Sequence, residues 1–152
     1  MKKIKFWSML MLVAMMLPLY SSCSKDSDDN SRPLDSVITG NWHSYHATAY
    51  GNGKKAEFDI SKTGQYAQMY YEVTFFDGGS ATFRHWETDT SGAMHWKEED
   101  ITYQVKGDIV TMRDSDGETI DVTYDSRAMT LCLMVNGVVN DVSIQINVYL
   151  RK

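Results

Sequence analysis

The chain has 152 residues, 15 of them basic and 20 acidic, for a formal net charge of −5, and 43% of it is hydrophobic. That length suits one domain around one core. The acidic balance, with no Lys/Arg cluster beyond residue 22, excludes an electrostatic grip on nucleic acid or on anionic headgroups.

Lys2, Lys3 and Lys5 precede an apolar run over residues 6–20, followed by Ser21, Ser22 and Cys23. The run is too short for a comfortable bilayer span of roughly 20 residues. Cations in front, an apolar middle and small residues behind are the order of a cleavable secretion signal over residues 1–22. Leu19-Tyr20-Ser21-Ser22-Cys23 resembles the lipobox of bacterial lipoproteins, with Tyr20 standing where an aliphatic residue is usual, as in the looser boxes of Bacteroides-type bacteria. The resemblance implies cleavage before Cys23 and lipidation, palmitate included, of its thiol. Cleavage would leave 12 basic against 20 acidic residues, near −8, so the lipid on Cys23 is the expected membrane attachment. Residues 23–36 are polar and acidic and read as a flexible tether. Lys25-Asp26-Ser27-Asp28-Asp29 resembles the export signal that sends such lipoproteins to the outer face of the outer membrane. The expected address is therefore the cell surface, with the periplasmic leaflet as the alternative.

Residues 37–152 form the expected domain. Apolar and polar residues alternate there, interrupted every 8 to 14 residues by Gly, Asp and Asn, which is an all-β pattern. The clearest strand is the last, where Val142, Ile144, Ile146, Val148 and Leu150 share one face. Strands are predicted at 41–50, 54–60, 66–76, 80–88, 93–98, 100–106, 109–114, 118–125 and 129–150, the last split by a turn at Asn136-Gly137. Asp77-Gly78, Gly107-Asp108 and Asp116-Gly117 supply further hairpin turns. Sequential hairpins of this number predict an antiparallel up-and-down meander, closed into a β-barrel of about eight strands so that no edge is left bare.

Gly40-Asn41-Trp42, at the start of the first strand, resembles the Gly-x-Trp motif of lipocalins and related calycins. Residues 103–111 and 120–133 are similar to the later strands of bacterial lipocalin-like domains, which are common in Bacteroides-type lipoproteins. The resemblance covers residues 37–150. It implies a barrel with Trp42 across its closed end and a non-enzymatic binding role. The chain departs from the family in lacking a clear Thr-Asp-Tyr-type motif and an evident arginine to lie on Trp42.

If Trp42 points inward, strict alternation carries Ser44, His46, Thr48 and Tyr50 inward with it. With Tyr71, Phe75 and Tyr103 these are the candidate ligand-lining residues. Trp86 and Trp96, each preceded by a histidine, could be shown together on a hairpin. Exposed, they would suit a glycan or a protein partner; buried, they are core. The alternative function is accordingly a surface interaction module with a filled barrel, or an accessory subunit of a nutrient-uptake complex.

Chemistry-bearing patterns are few. His43 and His46 would face opposite sides of a strand, and His85 with Glu87 gives only two ligands where zinc takes three or four, so no metal and no cofactor is expected. Cys132 lies in an apolar strand and reads as a small filler. The run Glu98-Glu99-Asp100 reads as a solvated hairpin end. No phosphate-binding loop, nucleophile elbow or His-Glu-x-x-His is present, and no enzyme is expected.

Overall fold

A computed structural model describes residues 34–152. The signal segment, Cys23 and the tether up to residue 33 lie outside the described residues. A short helix α1 (Leu34–Val37) precedes nine strands: β1 (Gly40–Gly51), β2 (Lys54–Asp59), β3 (Tyr71–Phe75), β4 (Ser80–Thr88), β5 (Met94–Lys106), β6 (Ile109–Arg113), β7 (Thr119–Asp125), β8 (Thr130–Val139) and β9 (Val142–Arg151). From β3 onward each strand pairs antiparallel with the next, and β1 joins β3 on one side and β9 on the other. The result is the expected closed meander barrel of eight strands, with β2 as a ninth, shorter strand on the upper part of β1.

Directly opposed residues in an antiparallel ladder project to the same face, so the pairings sort the interior. Trp42 opposes Val73, Val73 opposes Phe83, and Phe75 opposes Ala81. Val110 opposes Val122, Val122 opposes Leu133, and Leu133 opposes Val148. All nine are buried. The lower half of the barrel is thus filled with side chains. Its base is covered by α1, whose Leu34 is 1% exposed, and by Ile38.

At the base, Gly40 has φ +123°, and a Cβ there would meet Lys152 Cε at 3.4 Å. The Trp42 indole donates to the Ile38 carbonyl at 2.7 Å, meets Tyr124 edge-on, and has the Lys152 ammonium 5.5 Å from its ring centroid. The cation missing from the sequence reading is therefore a lysine far along the chain.

Three expectations are corrected. Residues 66–76 are not one strand: 67–69 form a 3-10 turn before β3. Segments 93–98 and 100–106 are one strand, β5, and the charge run lies in its middle because alternate members find partners on opposite faces. The last reversal is at Asn140-Asp141, both with positive φ (49° and 63°). Asn136 and Gly137 stay in the ladder opposite Gln145 and Ile144.

Candidate binding site

The decisive local feature is a register shift in β1 between Ser44 and His46. Ser44 opposes Leu150, but His46 opposes Tyr149, and Ala47 then opposes Val148. The extra residue, Tyr45, exchanges the two faces, as a β-bulge does. Ala47 and Ala49 therefore continue the inner face begun by Trp42 and Ser44. His46, Thr48 and Tyr50 lie on the outer face, which overturns their expected inward orientation. His46 reaches Asp59 at 3.2 Å and lies near the Tyr149 ring, Tyr50 is 40% exposed, and Thr48 is covered between β2 and β9.

The bulge falls where β1 changes partner from β3 to β2, a point at which the ladder would leave main-chain groups unpaired. Ser44 repairs it. Its buried hydroxyl accepts from the Tyr71 N–H at 2.9 Å and donates to the Tyr71 carbonyl at 3.3 Å. The Ile60 N–H bonds the Tyr45 carbonyl at 3.0 Å. Ser44 is inside the barrel as expected, with its hydrogen bonds committed to the backbone.

Phe75 and Tyr103 also face inward but at the closed base, in an edge-to-face pair 4.8 Å apart. The Tyr103 hydroxyl donates to the Phe76 carbonyl at 2.7 Å. Of the expected lining residues, Tyr71 is the one on the inner wall above the filled base. Burial pushes its hydroxyl up to about 12, and the ring lies 5.7 Å from Phe83.

Following that wall round from Tyr71 reaches residues the sequence reading treated separately. Tyr71 opposes His85, His85 opposes Lys97, Phe83 opposes Glu99, and Glu87 opposes His95. His85, Glu87, Lys97 and Glu99 therefore share the inner face. The Lys97 ammonium lies between two carboxylates, 2.9 Å from Glu99 and 3.2 Å from Glu87. Burial works against that charge, yet the hydrogen bonds and charges of Glu99 and Glu87 outweigh it and raise the lysine pKa. Burial, with the Lys97 cation adding to it, lowers His85 to about 4, so the imidazole is neutral near pH 7. Just before β7 the Glu118 Oε2 atom is buried with no hydrogen-bond partner. The barrel interior also carries apolar surface from Phe83 on β4, Val135 on β8 and Ile146 on β9. The signal for this set was available: Phe83, His85 and Glu87 alternate along one strand, and Lys97, Glu99 and Ile101 along its neighbour.

Above the Tyr71–His85 pair the barrel wall is split. There β2 pairs only with β1, and the end of β4 only with β5. Residues 60–70 span the gap. Phe58 and Tyr66 stack 4.4 Å apart at one side of it. At the other, the Trp86 indole donates to the Lys62 carbonyl at 3.0 Å, and the Lys62 ammonium sits 3.9 Å from the Trp96 ring centroid. Trp86 and Trp96 do meet, 5.2 Å apart, on the outer face. Both are half-buried, and Lys62 covers Trp96. They belong neither to the core nor to an open patch.

Cys132 opposes Thr123 and Tyr149, and burial pushes its thiol up to about 11, which suits a filler. No curated protein matches the chain in sequence. A family model described as a lipocalin-like domain matches residues 38–130, more than half of the chain. With the closed eight-stranded meander and Trp42 across its base, the chain belongs to the lipocalin-like domain family.

Proposed function

We propose that this protein is a lipid-anchored lipoprotein of the cell envelope that holds a small molecule, without transforming it, in the upper half of its barrel. The observation that carries the reading is the inward set Glu87–Lys97–Glu99 next to Phe83, with apolar Val135 and Ile146 on the inner face of β8 and β9. Such a wall offers an apolar molecule a surface to bury and a few convergent polar groups to orient it. The ligand that fits is amphiphilic, its apolar body resting on the filled base and its polar group meeting Lys97 and the two carboxylates.

Titration calorimetry of the mature chain against long-chain amines, fatty acids and neutral lipids tests this reading. One of these classes should bind, and Lys97→Met should change its affinity at least tenfold. Absence of binding for every class at millimolar concentration would refute it. Attachment through Cys23 is tested by incorporation of labelled palmitate, which Cys23→Ala should abolish. Protease treatment of intact cells tests display at the surface against the periplasmic leaflet.

A further inference from the structure

The three hairpin turns at the closed base share a feature that their turn chemistry does not require. Each carries one large exposed apolar side chain: Phe76 after β3 (46% exposed), Ile109 at the start of β6 (43%) and Met129 before β8 (57%). Met129 does so at φ +55°, a conformation that glycine or asparagine adopts with less strain than a side chain of this kind. Single exposed apolar residues are ordinary on a protein surface, but here one crowns every β–β turn of one end. Asp77, Asp108 and Asp125 at these turns are interleaved with Lys106 and Arg127, so the surface is of mixed charge and not a basic patch seeking anionic lipid.

Leu34, where the described chain begins, is buried at this same end. We propose that the closed base is a membrane-docking surface, with Phe76, Ile109 and Met129 resting in the interfacial layer of the bilayer that holds the lipid on Cys23. The inference rests on the anchoring part of the proposed function. Reach decides between the two ends of the barrel. Eleven residues, 23–33, separate the anchor from Leu34. Relaxed they span roughly 17–20 Å, and fully stretched about 36–40 Å. A strand of ten residues, tilted as barrel strands are, gives the barrel a height of roughly 25 Å. Base-down attachment leaves the tether relaxed, whereas mouth-down attachment must stretch it along the whole barrel. Tyr50, Met94, Val138 and Val139 are exposed apolar residues as well, but they lie at the mouth or near it and so face away from the anchor. Docked this way, the candidate binding site opens away from the bilayer.

The test uses the lipidated protein in vesicles of phosphatidylethanolamine and phosphatidylcholine, with nitroxide labels in a Cys132→Ser background. Labels placed by I109C and M129C report the base, and one placed by N140C reports the mouth. The two base labels should collide severalfold less with an aqueous nickel complex, and more with oxygen, than the mouth label, and high salt should not change this. Equal aqueous accessibility at all three would overturn docking while leaving the anchor intact. Palmitate incorporation is measured on the same preparation, and its absence would overturn anchor and docking together.

Discussion

The ammonium of Lys152 lies 5.5 Å from the ring centroid of Trp42, and the lysine side chain passes the one face of Gly40 where a Cβ would touch it. Glycine is favoured there by its φ of +123°, with the flexible lysine stem in van der Waals reach. Gly40→Ala should cost about 1–2 kcal/mol. Lys152→Met, which keeps most of the stem and removes the charge, should cost about 0.5–1 kcal/mol. Trp42→Ala should cost about 3–5 kcal/mol. Urea unfolding of the three variants checks the order, and a Lys152→Met variant as damaging as Trp42→Ala would contradict it.

Ser44 performs a backbone function from a side chain. Ser44→Ala leaves the Tyr71 N–H without its partner inside the barrel, which should cost about 1–3 kcal/mol. Ser44→Thr keeps the hydroxyl and should be milder if the wall tolerates a methyl group. Amide exchange supplies the local readout: the Tyr71 amide should lose protection in Ser44→Ala by more than its neighbours on β3.

His85 gives the barrel an acid response with a defined window. Its folded pKa, about 4, lies below the ordinary value of 6.5, so on acidification the unfolded chain takes up the proton first. The stability contribution is therefore complete above pH 6.5 and is lost as pH falls toward 4. Across that window the loss is on the order of 2–3 kcal/mol. Tyr71 and Lys97 oppose the imidazole directly, and Glu87 and Glu99 share its face. His85→Phe should flatten the dependence of unfolding free energy on pH between 6.5 and 4. An unchanged slope would place its origin elsewhere.

Trp86 and Trp96 act on the strap over residues 60–70. Replacing Trp96 with Ala removes the ring beneath Lys62, and replacing Trp86 removes the donor to its carbonyl. Each should cost about 1–3 kcal/mol, less than a core tryptophan. Hydrogen exchange over residues 60–70 should accelerate well before the rest of the barrel responds. Uniform acceleration across all strands would mean that the pair supports the whole fold.

Several of these features were legible before the coordinates, and particular residues explain which. The alternation from Val142 to Leu150 fixes the inner face of β9 because neither a bulge nor a partner change interrupts it. The same rule fails on β1, where a single extra residue at Tyr45 swaps the faces. Nothing in Ser-Tyr-His announces a bulge, since its cause is the change of partner strand above Ser44. Asn136-Gly137 permits a tight turn, but ladder pairing of both residues with β9 overrides that preference. Adjacent charges in the Glu98-Glu99-Asp100 run suggest a solvated segment, but in the sheet Glu98 pairs outward with Arg84, while Glu99 turns inward to Lys97. The approach of Lys152 to Trp42 leaves no local signature, because more than a hundred residues of chain separate them.

The pairing of β1 with β9 also shapes how the molecule comes to be folded. Every ladder from β3 to β9 is local, joining strands next to each other in sequence, and can form as soon as its two strands are available. Closing the ring is different in kind, because it joins the two strands farthest apart and must overcome the loss of freedom of everything between them. Until that step the two facing edges are bare and ready to pair with another chain. The period of greatest danger is therefore the interval in which every hairpin exists and the ring is still open.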